Sequence, residues 1–227
     1  MSVLLALGDI HSPYVDKRAL DQAVAVTARL KPDVIVQVGD AYEFDNGSAW
    51  RACAERERPR EEFARGRDRL GSFWRRIQDA APGAKCHMLW GNHDERLVKR
   101  AWEKVPEAAE FVHAAVRKMM TFPGVKLHDE EIVYLGRFGG ERWSAVHGHG
   151  AIGSHAAQYA TNIVCGHLHR GYVVTVPGLH FELNAGWLGD GSHHSKFYAR
   201  ARASNWNHGV AVVDDFGPRF IRLEEKP

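Results

Sequence analysis

Five times in this 227-residue chain a short apolar run stops and gives way at once to aspartate, asparagine or histidine. Cys86 to Trp90 ends at Gly91 and is followed by Asn92, His93 and Asp94, an amide, an imidazole and a carboxylate. Read as a buried strand and its loop, this sets groups that bind ions or move protons outside the carboxyl end of a strand, where the loops of α/β sheets converge. The same grammar recurs at Val3–Leu7 before Asp9 and His11, and at Val34–Val38 before Gly39-Asp40. It returns at Trp143–Val146 before His147, and at Asn162–Cys165 before Gly166-His167-Leu168-His169.

The first two runs are joined by Asp16–Leu30, whose apolar residues Ala19, Leu20, Ala23, Val24, Val26 and Leu30 form a helical stripe stopped by Pro32. Strand, helix, strand predicts a right-handed crossover and a parallel pair, so Asp9, His11 and Asp40 meet at one sheet edge. Two carboxylates brought together without a cation repel one another, and a metal ion resolves the conflict. Asp9 taken alone reads equally well as a turn cap. His147, His167 and His169 sit at the ends of two further neighbouring strands.

Elsewhere the patterns are plainer. Arg51–Arg76 holds nine arginines against five acids, with Pro59 opening a helical run toward Ile77. Such a run is a solvated face or, alternatively, a basic rim for a phosphorylated substrate. Glu95–Lys104 and Pro106–Met120 read as helices, the second with Phe111, Val112, Val116 and Met119 as its apolar face. Gly124–Phe138 reads as two short strands joined by a turn at Asp129-Glu130. Ser154–Ala160 is a short helix, and Tyr172–Val176 with His180–Asn184 an antiparallel pair about Pro177-Gly178. Val210–Asp214 and Arg219–Leu223 close the chain as a hairpin. Asn184–His208 lacks periodicity, as lids and binding loops do. Trp187, His193, His194 and Tyr198 are its lid candidates, with an ordinary surface loop the other reading.

Composition narrows the classes. A net charge of +2 demands no polyanionic partner. No apolar run approaches the roughly 18 residues of a transmembrane helix, and Met1–Leu7 reads as a strand rather than a signal peptide. Three scattered cysteines, Cys53, Cys86 and Cys165, argue against a disulfide framework and for a cytoplasmic setting. Fourteen histidines are the outlier, histidine being the commonest metal ligand.

In their order, Asp9-x-His11, Gly39-Asp40, Gly91-Asn92-His93-Asp94, His147 and Gly166-His167-x-His169 resemble the calcineurin-like metallophosphoesterase superfamily, from Leu7 to His169. The resemblance implies an α/β fold, a four-layer αββα sandwich of two mixed β-sheets flanked by α-helices. It implies one such domain over residues 1–227, with an insertion at about 42–81, a lid loop at about 185–208, and the strands after His169 in the second sheet. Asp9, His11, Asp40 and His169 would hold one divalent ion, and Asp40, Asn92, His147 and His167 the other, with Asp40 bridging. His93 would give a proton or hydrogen bond to the phosphate or leaving oxygen, and Asp94 would keep His93 protonated and oriented. Mixed nitrogen and oxygen ligands suit Mn2+, the expected ion, or Fe, Zn, Ni or Co, rather than calcium. Two ions about 3.5–4 Å apart clamp a phosphoryl group. His149, Arg170, Trp187, His194 and Tyr198 are the candidate substrate contacts, His149 alternatively supporting a ligand from behind or packing its loop. Gly39–Asp45 departs from the Gly-Asp-x-Val-Asp-Arg-Gly pattern of protein phosphatases, so no phosphate-binding arginine carries over there. The aspartate often found three residues after the metal aspartate is Glu43 here, and whether Glu43 or Asp45 takes its place is open.

The expected function is two-metal hydrolysis of phosphate esters, foremost a small or nucleotide-like phosphodiester with some phosphomonoesterase activity. A nuclease or nucleic-acid end-processing enzyme is the alternative, on the arginines above and on Lys196, Tyr198, Arg200, Arg202 and Trp206. A non-catalytic protein-binding scaffold is the third reading, against which stand His93 and the full ligand set. No membrane partner is expected, and oligomeric state is open.

Overall fold

Alternation along the strands decides the layers. The computed structural model describes residues 2–48, 57–176, 178, 180–192 and 205–223, so Cys53 lies outside the described residues. Its first sheet runs in the order Gly217–Arg222 (β11), Gly209–Asp214 (β10), Leu4–Leu7 (β1), Val34–Gln37 (β2), Lys85–Leu89 (β3) and Val125–His128 (β4). The second runs Val133–Phe138 (β5), Glu141–Ala145 (β6), Asn162–Cys165 (β7), His180–Ala185 (β9) and Gly171–Val176 (β8). β1 to β4 are mutually parallel, as are β6, β7 and β9. Both sheets are mixed, because β10 joins β1 antiparallel and β5 and β8 flank the second sheet antiparallel.

Successive side chains of a strand face opposite ways. Leu4, Ala6, Val34, Val36, Ala211 and Val213 therefore pack between the sheets against Trp143, Val164 and Leu183. Their neighbours Leu5, Leu7, Ile35, Val210 and Val212 face the helices Lys17–Leu30 (α1) and Pro59–Ala80 (α2). On the far side, Ile163, Cys165 and Val176 are covered by Ala156 of the short helix Ser154–Tyr159 (α5). The result is the αββα layering that the motifs implied. Asp16 caps α1 by accepting the Ala19 N–H at 2.8 Å, and α2 opens on Pro59, whose missing N–H costs nothing there. Among the described residues no helix is long and apolar enough to cross a membrane.

Three expectations need correction. Arg96–Lys104 (α3) and Pro106–Met120 (α4) bridge β3 to β4, so β4 lies parallel to β3 and does not pair with β5 across the Asp129 turn. The closing hairpin, β10 with β11, extends the first sheet beside β1, because its wholly buried Val210–Val213 needs apolar cover on both faces. Phe111 does not belong to the buried face of α4. It lies two residues, about 200°, round the helix from Ala109, and is 78% exposed while Ala109, Val116 and Met120 are buried.

Trp143 is fully enclosed between the sheets, whereas Phe111 faces solvent. We expect Trp143→Ala to cost about 3–5 kcal/mol in urea unfolding, and Phe111→Ser less than about 0.5 kcal/mol. Equal losses would contradict this layering.

Candidate functional site

The loops that leave β1, β2, β3, β6 and β7 turn toward one another at the strand ends. The amides of Ile10 and His11 both donate to the Asp40 carbonyl, at 3.0 and 2.9 Å, locking the first two loops together. The third is tied in by the His93 amide, which donates to Asp40 Oδ1 at 2.7 Å. Turning side chains inward from such short loops strains the backbone. His11, Asp40, His167 and His169 all have left-handed φ angles, of 52°, 51°, 67° and 57°. Each such non-glycine residue costs on the order of 1–3 kcal/mol and persists where the surroundings over-determine it. Gly91 is required by close approach: a Cβ there would lie 2.1 Å from the Asp40 nitrogen and 2.2 Å from its Oδ1.

Two groups of potential ligand atoms share Asp40, beside a third made of His11, Glu43 and His93. Asp9, His11, Asp40 and His169 form the first, and Asp40, His147 and His167 the second, with the ligand atoms of each group within 4.8 Å of one another. In the first, His11 Nε2 and His169 Nε2 are 2.9 Å apart, and His169 Nε2 is 3.0 Å from Asp9 Oδ2. In the second, Asn92 Oδ1 lies 3.0 Å from His147 Nε2 and 2.8 Å from His167 Nδ1, and His147 Nε2 is 3.4 Å from Asp40 Oδ1. Bonds of about 2.0–2.2 Å put two ligands of one ion about 3 Å apart, so these spacings fit a cation in each group. The chain supports several of these rings from behind. His147 Nδ1 donates to the Val38 carbonyl at 2.8 Å, so Nε2 is the nitrogen that faces the site.

The charges fit too. Burial opposes ionisation of Asp9 and Asp40, but the surrounding histidines outweigh it and hold both carboxyls below their usual range. Burial would neutralise His147, yet the Asp40 charge and hydrogen bond push it up to about 10. His167 goes the other way, lowered by burial and by the charge of His147. A buried acid cluster thus keeps a proton where a divalent ion could supply the positive charge.

Asp94 does not do what the motif implied. Its oxygens accept the main-chain N–H groups of Tyr42 at 2.8 Å, Gly91 at 2.9 Å and Ala41 at 3.2 Å, so the carboxylate clamps the β2 and β3 loops together. Burial and the charge of Asp40 push it up to about 7, against the pull of those three donors. The carboxylate that faces His93 is Glu43. One oxygen, Oε2, lies 3.0 Å from His93 Nδ1 and 2.7 Å from His11 Nδ1. Asp45 is not at the histidines; it opens a 3-10 turn, and its amide donates to Glu62 at 2.6 Å. Arg96, which the sequence reading missed, reaches Glu43 Oε1 at 2.7 Å with one amino group and His93 Nε2 at 2.7 Å with the other. One signal was available: an arginine opens α3, which has no acid in its first turn, against the helix dipole.

The candidate substrate contacts divide. His149 is exposed and lines a cavity of about 460 Å³ that also reaches Asn92, His147, His167 and Trp90. Its main chain is hydrogen-bonded to His155, whose ring also meets the His149 ring edge-on at 6.3 Å. Arg170 is exposed beside His169. Trp187 is buried and stacks on His169 at 4.9 Å, so it walls the site and is not part of a lid. His193, His194 and Tyr198, with half of the expected lid, lie outside the described residues. Behind the cavity, His155, Cys165 and Glu182 form a further buried cluster. There Glu182 is taken up by the amides of Gly153, His155 and Ala156 and the hydroxyl of Tyr172, as a clamp on the start of α5.

Residues 2–217 match the family model described as calcineurin-like phosphoesterase. The chain is similar to Gene 54 protein of Mycobacterium phage L5, 22% identical over 182 residues that cover 74% of this chain and 69% of that protein. Among solved structures it resembles Vps29 from Cryptosporidium parvum, at 15% identity over 100% of this chain and 98% of that one, with a TM-score of 0.49. It also resembles the phosphoesterase Yfce from E. coli, at 13% identity over 98% and 100% of the two chains and a TM-score of 0.48. A dimetal phosphatase from Danio rerio aligns at 10% identity over 98% and 99%, with a TM-score of 0.47.

Two outcomes follow from this geometry. Because His147 holds its proton up to about pH 10 without an ion, ligation must expel it, and affinity for a divalent ion should fall as pH drops from 9 to 6. The decrease should approach tenfold per unit, and calorimetry in buffers of different ionisation enthalpy should count the proton released. Gly91→Ala, which drives a methyl group into Asp40, should abolish ion uptake while the fold, read by circular dichroism, survives.

Proposed function

Because the chain belongs to the calcineurin-like phosphoesterase family, we propose that it is a two-metal hydrolase of phosphate esters, acting foremost on a small or nucleotide-like phosphodiester. The observation that carries this reading is the pair of ligand groups joined at Asp40. Asp9, His11, Asp40 and His169 would hold one ion, and Asp40, Asn92, His147 and His167 the other. Bound there, the ions would supply Lewis-acid charge to the phosphoryl group and ready a water for attack.

The chain's own residues do the rest. Glu43, buried and in contact with both His11 and His93, orients the two rings at once. His93 is the general acid, placed to give its proton to the leaving oxygen. Arg96 now donates to His93 Nε2, and a guanidinium can only donate, so this nitrogen carries no proton while that contact lasts. A phosphoryl oxygen that draws the Arg96 amino group away would bind the substrate and open His93 Nε2 to a proton from water, which it then gives to the leaving oxygen.

The cavity beside Asn92 favours a compact leaving group over a nucleic acid. Its rim carries Glu95, Asp129, Glu130 and Glu131 against the single cation Lys99, a balance that disfavours a run of phosphates. Four of the six arginines of α2 are also engaged within the chain. Arg65 pairs with Glu57 and Arg76 with Asp21, while Arg67 and Arg69 donate to the carbonyls of Lys118 and Pro13.

The test is hydrolysis of bis-p-nitrophenyl phosphate beside p-nitrophenyl phosphate by metal-free protein reloaded with Mn2+. We expect the diester to turn over faster. His93→Ala should lower kcat by about 10²–10⁴-fold with both ions still bound, and Asp40→Ala should lose both ions. Faster monoester turnover would make the protein a phosphatase. Two bound ions and no turnover of either ester would point to the protein-binding scaffold.

A further inference from the structure

The helices α3 and α4, joined at Val105, leave apolar surface in water. Of the nine residues of α3 only Ala101 is buried, although a helix that short depends on packing for its stability. Val105 is 52% exposed and Phe111 78%. Both border a groove of about 490 Å³ walled by Leu97 and Ala101 of α3, Val112 of α4 and Phe63 of α2. Its only polar side chains are Arg100 and Lys104. Single exposed apolar residues need no explanation, but a continuous apolar groove edged by charge marks an interaction surface. None of its lining residues lines the cavity beside Asn92, so whatever fills the groove leaves that cavity open.

The two rims of this groove are opposite in kind. On α3, Arg100 and Lys104 are exposed one turn apart on the groove side. On α4, Glu107 and Phe111 are exposed one turn apart, so the acid stands directly beside the aromatic ring that edges the groove. Lys118, the next charge along that edge, is about two turns beyond Phe111. Arg100 gives one hydrogen bond, to the Asn46 carbonyl at 3.3 Å, and neither Lys104 nor Glu107 has an ion pair among the described residues. An anionic lipid surface or a wholly acidic peptide would suit the α3 rim and be repelled by Glu107. The partner must carry both signs and a large apolar side chain, and this same surface carries them. Turned about a two-fold axis, it sets each basic rim against the acidic rim of the other copy.

We propose that this groove is the interface of a symmetric dimer of the chain, in which Phe111 of each copy enters the groove of the other and Glu107 meets Arg100 and Lys104. An aromatic anchor in an apolar pocket, ringed by groups that exclude water, is the arrangement that dominates interface energies. The opposed rims set the register of the two copies and disfavour parallel pairing, which would bring like charges together. Arg96, which touches Glu43 and His93, opens the same helix whose later turns line the groove. The dimer therefore gives α3 the packing that the single chain does not.

Sedimentation equilibrium of the full chain, over a series of concentrations, tests this. We expect wild type to dimerise, and Phe111→Ser to raise Kd by about 30-fold or more, as the loss of an anchoring aromatic does. Lys104→Glu and Glu107→Lys should each raise Kd by at least about tenfold, because like charges then face one another twice in a two-fold dimer. The double variant carrying Lys104→Glu and Glu107→Lys exchanges the rims and should return to within a few-fold of wild type. Thermal melts followed by circular dichroism separate loss of the dimer from loss of the fold. A wild type that is monomeric at every concentration overturns the proposal and leaves the groove to a different protein. A dimer that Phe111→Ser leaves intact overturns it as well, since the interface is then elsewhere. A double variant as weak as the two single ones overturns the opposed rims.

Discussion

Asp40 is the node on which the rest of the site depends. Its carbonyl receives two amides from the loop after β1, its carboxylate receives the His93 amide from the loop after β3, and its side chain belongs to both ligand groups. Three strand ends are therefore held at hydrogen-bond distance through one residue. That residue is left-handed, almost wholly buried and next to the bare Cα of Gly91. Any change that moves it moves both ion sites together.

Concentrating charge in this way is unfavourable on its own. Asp9, Asp40, Glu43 and Asp94 are all buried at the same strand ends, and buried charge is tolerated only when paired and hydrogen-bonded. Each has found a different compensation. Asp9 takes the His167 amide and His169, Asp40 takes His147 and the His93 amide, Glu43 takes Arg96, and Asp94 takes three main-chain donors. The sandwich makes this possible by enclosing the loops between two sheets whose facing side chains are almost entirely aliphatic. All four carboxylates are at most 1% exposed, so protein groups rather than bulk water supply their partners.

The exchange of roles between Asp94 and Glu43 has a simple steric origin. Asp94 follows His93 in a tight turn after Gly91, and its short side chain folds back onto the Gly91, Ala41 and Tyr42 amides. Glu43 comes from a different strand end but is one methylene longer, and so reaches the Nδ1 atoms of His11 and His93 together. Adjacency in sequence pointed to Asp94; length and direction of approach select Glu43. Arg96 completes the arrangement by bridging Glu43 and His93 from the first turn of α3.

Much of this was legible in the chain by itself. The apolar runs and their glycine stops located β1, β2, β3 and β7 to within a residue or so, because a strand buried on both faces leaves a short, uniformly apolar trace ended by a turn residue. The order of Asp9, His11, Asp40, Asn92, His147, His167 and His169 marked out the residues that now converge, since parallel strands deliver their carboxyl ends to a common edge whatever the packing elsewhere. Sheet membership of the C-terminal hairpin, the exposure of Phe111, the stacking of Trp187 on His169 and the partner of His93 were not legible. Each depends on which surfaces meet across tens to hundreds of residues, and local pattern carries no record of that. Sequence alone thus determined which groups gather at the strand ends; only the tertiary structure decided which of them touch, because a hydrogen bond is settled by tenths of an ångström and a motif by residue spacing.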